Sequence, residues 1–122
     1  IIQLFSDKIM LIEFSVRNFR SIKNEQTLSM ESDSGETNMN NTFQPSPYEN
    51  LRLLKTAAIY GPNASGKTNV IAAFYECCRF IVNSTDLKLD DPIKSYQPFK
   101  LDRSSSTQPT SFKIVFLGKD YR

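Results

Sequence analysis

The chain has 122 residues, 39% hydrophobic and 23% charged, with a net charge of +2 and a mean hydropathy of −0.38; this is the make-up of one globular domain with one core. No apolar stretch approaches the ~20 residues that cross a bilayer. The sequence holds no histidine, which excludes imidazole metal sites and His-based acid–base catalysis within it.

Residues 1–9 (Ile1-Ile2-Gln3-Leu4-Phe5-Ser6-Asp7-Lys8-Ile9) carry neither a basic lead nor a long apolar core, so they do not read as a signal peptide, and a cytoplasmic setting is expected. They are set apart as an extension outside the core, with the folded unit over 10–122. Ile12, Phe14 and Val16 alternate with Glu13, Ser15 and Arg17, which predicts a half-buried strand. Asn18-Phe19-Arg20-Ser21 breaks that alternation, and Asn24-Glu25 marks a turn. Gln26 to Met30 alternates again, so the two runs are expected to pair as an antiparallel hairpin. Arg17, Arg20 and Lys23 form a small basic neighbourhood that reads as a solvated strand end.

Residues 32–50, rich in Ser, Asp, Thr and Asn with Pro45 and Pro47, predict a long surface loop outside the core. Leu51-Arg52-Leu53-Leu54 is a helical turn or a strand lead-in. Thr56-Ala57-Ala58-Ile59-Tyr60 is a short apolar run of the kind a buried parallel strand needs. Val70, Ile71, Phe74, Cys78, Ile81 and Val82 then recur at helical spacing, which predicts a helix over 67–82. Cys77 and Cys78, adjacent on that helix, point in different directions; at least one is a small core residue rather than a disulfide or metal partner. Asp90-Asp91-Pro92 and Ser104-Ser105-Ser106-Thr107 mark turns. Phe112, Ile114 and Phe116, with Val115 and Leu117, predict a well-buried strand, and Gly118-Lys119-Asp120 a hairpin turn.

Between the apolar run and the helix lies Gly61-Pro62-Asn63-Ala64-Ser65-Gly66-Lys67-Thr68, which fits G-x-x-x-x-G-K-[ST], the phosphate-binding loop. Each residue type has its reason. Gly61 and Gly66 let the backbone turn and approach a phosphate without a Cβ in the way. The inward N–H groups and the helix N-terminus attract anions. Lys67 reaches the outer phosphates as a point charge, the Thr68 hydroxyl is a Mg²⁺ ligand, and Ser65 adds a small side chain and another N–H. ATP and Mg²⁺ are therefore the expected ligands.

Three stretches together resemble ABC-type, SMC-like ATPases. They are Leu11 to Ser21 with its Asn-Phe-Arg-Ser turn, the loop Gly61 to Asn69 in the form G-x-N-x-S-G-K-[ST]-N, and Gln97-Pro98-Phe99-Lys100-Leu101-Asp102 with Pro109 to Phe116. The text over Met10 to Arg122 is similar to bacterial AAA-domain ATP-binding proteins related to RecF, SMC and OLD-type phage-defence ATPases. The resemblance implies an α/β fold: a partial P-loop NTPase, the head of an ABC-type ATPase, with an N-terminal antiparallel β-subdomain. It implies that Arg20 and Asn69 join Gly61, Pro62, Asn63, Ala64, Ser65, Gly66, Lys67 and Thr68 around the nucleotide. It also implies a glutamine on the metal beside Thr68, for which Gln97 is the nearer candidate by order and Gln108 the weaker. A head-to-head homodimer is implied for the full-length protein, with nucleic acid as a further partner class and no membrane.

The family's second metal-holding acidic motif, its signature loop and its switch histidine find no match, so the catalytic carboxylate is unassigned and the chain reads as the N-terminal part of a longer ATPase, inactive alone. The competing readings are a non-catalytic ATP-dependent dimerisation switch and the nucleotide-binding subunit of a transporter. Asn69 speaks against the latter, because a second hydroxyl residue usually stands there. A small-molecule kinase usually begins almost at its phosphate loop, whereas about sixty residues precede this one.

Overall fold

The computed structural model describes residues 9–33, 35, 38–45, 50–86, 88, 90, 93 and 96–118. Two long segments and one helix dominate. Strand β1 (Ile9–Arg17) is the middle of a three-stranded antiparallel sheet, flanked by β2 (Gln26–Ser29) and by β5 (Ser111–Gly118). The expected hairpin is present, with Phe14 opposite Leu28 and Val16 opposite Gln26. On the other side Phe14 faces Ile114 and Val16 faces Phe112. Ile9, grouped with the extension on sequence grounds, is the first residue of β1 and pairs with Gly118. Residues 1–8 and the turn residues Lys119 and Asp120 lie outside the described residues.

The register shifts between Leu11 and Glu13, leaving Ile12 as an extra residue. That bulge resets the alternation, so Leu11 joins Phe14 and Val16 on the core side. The opposite face carries polar pairs beside Val115. Ser15 Oγ and Thr27 Oγ1 are 2.8 Å apart, and Lys113 Nζ donates to Glu13 Oε1 at 2.8 Å.

Helix α1 (Lys67–Asn83) matches the expected span to within one residue and crosses the apolar face of the sheet. Its Ala73, Phe74, Cys77 and Cys78 are buried against Phe14, Val16, Phe19 and Ile22. The Phe14 ring meets Phe74 edge-on at 5.1 Å and stacks with Phe112 at 6.4 Å. Phe14 is fully buried, a burial that contributes about 2–3 kcal/mol. Both cysteines are free thiols in this core. Strand β5 is less buried than its composition predicts: Phe116 is half exposed, because α1 does not extend over that end of the sheet.

A second, two-stranded sheet joins β3 (Thr42–Phe43) to β4 (Leu53–Leu54), preceded by a 3₁₀ turn at Met39–Asn41. The backbone of Leu54 also donates to Met30 O at 2.7 Å, which ties this sheet to the end of β2. The segment 32–50 is therefore partly built into the fold, against the sequence expectation. Its order comes from polar bonds: Thr42, buried, donates to Met39 O and accepts from Arg52 Nη2, and Asn41 Nδ2 donates to Thr56 O.

The expected parallel strand at 56–60 does not form. Those residues have no regular structure and are exposed, with Tyr60 at 92%. A buried parallel strand needs hydrogen-bonded neighbours and layers on both faces, and none of the described strands pairs with this run.

Candidate phosphate-binding loop

Residues 61–66 run from the exposed stretch 55–60 into the first turn of α1. Ala64 has φ 64° and Gly66 φ 89°, while Ser65 and Lys67 keep negative φ. This alternation of backbone hand turns successive N–H groups toward one side, the arrangement that forms an anion nest. Ser65 N donates to Pro62 O, but among the described residues the N–H groups of Ala64, Gly66, Lys67 and Thr68 meet no acceptor. Gly66 is the N-cap of α1; no side chain caps it, and no acidic residue stands in the first turn. The partial positive charge of the helix N-terminus is thus not offset from within the helix.

Gly66 is fixed by its left-handed φ, and both glycines lie close to a serine hydroxyl. A Cβ on Gly61 would lie 3.0 Å from Ser65 Oγ, and one on Gly66 would lie 3.3 Å from Ser21 Oγ at a φ that side chains avoid. Lys67 folds back over the loop. Its Nζ donates to Gly61 O at 2.7 Å and Pro62 O at 2.6 Å, with Ser65 Oγ at 3.4 Å. The ammonium is held at the loop by two neutral carbonyls, which a phosphate oxygen can replace with a charge-assisted bond. Thr68, exposed, presents its hydroxyl on the first turn of α1, and Pro62 and Asn63 lie exposed at the loop's entry.

Asn69 faces the Asn18–Ser21 turn: its Nδ2 donates to Ser21 Oγ at 2.6 Å. That turn is closed by reciprocal backbone bonds between Phe19 and Ile22, 2.9 and 2.8 Å long. An open cleft of about 290 Å³ lies between turn and loop, bounded by Ser21, Lys23, Gln26, Ser65, Gly66 and Val70 among others.

Arg20 and Gln97, both expected near the nucleotide, are brought together with each other. The Arg20 backbone N–H donates to Gln97 O and its Nε to Gln97 Oε1, each at 2.7 Å, and the guanidinium lies 5.2 Å from the Phe19 ring centroid. A guanidinium on Oε1 opposes a divalent cation on the same oxygen. Gln97 as placed therefore does not fit the metal role. Gln108, the weaker candidate, accepts from Arg17 Nη2 at 3.5 Å through its side chain. The basic neighbourhood is not merely solvated: Arg17, Arg20 and Lys23 each reach the segment 97–108, the last through a 2.7 Å ion pair with Asp102. That pair holds the Asp102 carboxyl below its usual range, the Lys23 bond first and the Ser104 bonds next.

Sequence reasoning missed Asn18. It is buried, its Oδ1 accepts from Phe99 N, and its Nδ2 donates to the carbonyls of Ser105 and Gln108, each at 2.9 Å. Its one visible signal is an asparagine at the end of a strand, a residue that tolerates left-handed φ, here 53°.

Among the described residues no cluster of three or more His, Cys, Asp or Glu side chains could hold a metal, and no helix is long and apolar enough to cross a membrane. The chain matches no family model, and no curated protein or solved structure matches it.

Proposed function

We propose that the loop Gly61–Thr68 binds the phosphates of ATP together with Mg²⁺, as the nucleotide-binding part of an ABC/SMC-like ATPase. The observation that carries this reading is the loop's alternating backbone hand running into the uncapped N-terminus of α1. Lys67 exchanges Gly61 O and Pro62 O for phosphate oxygens, and its charge is then matched instead of merely solvated. The Thr68 hydroxyl holds Mg²⁺, which neutralises phosphate charge. Gly66 keeps the approach open, and Asn69 steadies the loop against Ser21. Arg20 reaches the ligand only by leaving Gln97.

Hydrolysis belongs to the longer protein in this reading, through a head-to-head homodimer in a cytoplasmic setting, with DNA-related or phage-defence work as the process. No acidic residue lines the cleft beside the loop among the described residues, and Glu13, Asp102 and Glu76 lie against Lys113, Lys23 and Arg79. That favours, as the second reading, a chain that binds nucleotide as a switch without turning it over.

Titration calorimetry tests the proposal. The wild-type chain binds ATP–Mg²⁺, and Lys67→Ala loses a charge-assisted contact of about 1.5–3 kcal/mol, so its affinity falls roughly ten- to a hundredfold. Equal affinities in the two proteins refute the assignment.

A further inference from the structure

We propose that the turn Asn18–Ser21 is a strap that couples the phosphate loop to the segment 96–110, so that a change at the loop is felt at Gln97 and Phe99. At one end Ser21 Oγ accepts from Asn69 Nδ2 at 2.6 Å and lies against Gly66, the N-cap of α1. At the other end Arg20 holds Gln97 by backbone and side chain, and Asn18 holds the backbone of Phe99, Ser105 and Gln108. Thr110 Oγ1 closes the far side by donating to Asn18 O at 2.6 Å.

The strap has little slack. Only Phe19 and Arg20 lie between its ends, and Phe19 is fully buried, edge-on to Phe112 at 5.8 Å. Asn18 and Arg20 both have left-handed φ, 53° and 51°. For a residue as large as arginine this conformation persists only when the surroundings over-determine it. Here the surroundings are the Phe19–Ile22 backbone pair, the buried Phe19 ring and the bonds at the two ends, so releasing one end removes part of what holds the turn and loosens the other. Coupling of this kind is reciprocal: what the loop does to the segment, the segment does to the loop. The nucleotide part of the inference rests on the proposed function; the mechanical part does not.

Site-resolved amide hydrogen exchange on the whole chain separates the two. Without nucleotide, Gln97→Ala speeds exchange at Asn69 and Val70, whose N–H groups bond to Gly66 O, by roughly fivefold or more. In the Ser21→Ala background the same substitution leaves those amides unchanged. Equal acceleration in both backgrounds, or none in either, overturns the strap. With ATP–Mg²⁺ added, exchange slows at Asn69 and Val70 and also at Phe99 in the wild type, but not at Phe99 in Ser21→Ala. Protection of Asn69 and Val70 with no change at Phe99 overturns the strap and leaves nucleotide binding standing. Protection at none of these amides refutes nucleotide binding, and the ligand-free comparison still decides the strap.

Discussion

Replacing Asn18 with alanine is expected to cost this fold about 2–3 kcal/mol, more than a typical surface substitution. The side chain is 2% exposed and satisfies three backbone groups more than 80 residues away. Alanine strands them unequally. Gln108 is exposed, and its carbonyl keeps the Tyr96 hydroxyl at 2.8 Å, so its loss is small. Ser105 O keeps the Gln108 N–H at 3.3 Å, so its loss is small as well, whereas Phe99 N is half-buried with no second acceptor among the described residues. At about 1–2 kcal/mol for a group left unpaired, Phe99 N contributes about 1–2 kcal/mol. The left-handed φ of 53° adds about 1 kcal/mol for alanine. Glycine loses the same bonds without that backbone term, so Asn18→Gly should be about 1 kcal/mol more stable than Asn18→Ala. Urea unfolding followed by circular dichroism measures both. A loss below ~1 kcal/mol for Asn18→Ala would show that the 96–110 segment is not held through this residue.

Alkaline pH should weaken the fold through the two buried thiols. Burial, with Cys78 beside it, pushes the Cys77 thiol from 9.0 up to about 11, and burial raises Cys78 as well. The folded chain then keeps protons that the unfolded chain gives up, so stability present below pH 9 falls as pH rises from 9 to 11. Urea midpoints at pH 8 and pH 10 read this effect, and an equal drop in the variant carrying Cys77→Ala and Cys78→Ala places the sensitivity elsewhere. Steady-state phosphate release by the chain is expected to match a Lys67→Ala blank, since Glu76 lies about two and a half turns along α1 from Lys67 and beside Arg79. Turnover above the blank would mean that another carboxylate reaches the loop.

The elements written in apolar periodicity were legible. Phe14 and Val16 announce β1, and the spacing from Val70 to Val82 gives α1 almost to the residue. Their burial depends only on which face they present, which sequence order determines. What was not legible depends on distant partners. Thr42 and Asn41 look like loop residues and are ordered by hydrogen bonds to Arg52 and Thr56. The run 56–60 has strand composition, but a strand exists only when neighbours pair with it. The loop at 61–68 stands out in the sequence because its pattern is local: glycines, a lysine and a hydroxyl at fixed offsets. The meeting of Arg20 with Gln97, and of Ser21 with Asn69, was not, because no periodicity encodes contacts 77 and 48 residues apart.

In the proposed function the N–H groups of Ala64 to Thr68 cradle a polyphosphate. Backbone amide NMR shifts during titration with ATP–Mg²⁺ test it most directly. Saturable shifts are expected, largest over Ala64 to Thr68 and reproduced in part by inorganic triphosphate. Shifts that are absent, or that centre away from the loop while Ala64 to Thr68 stay still, would contradict it.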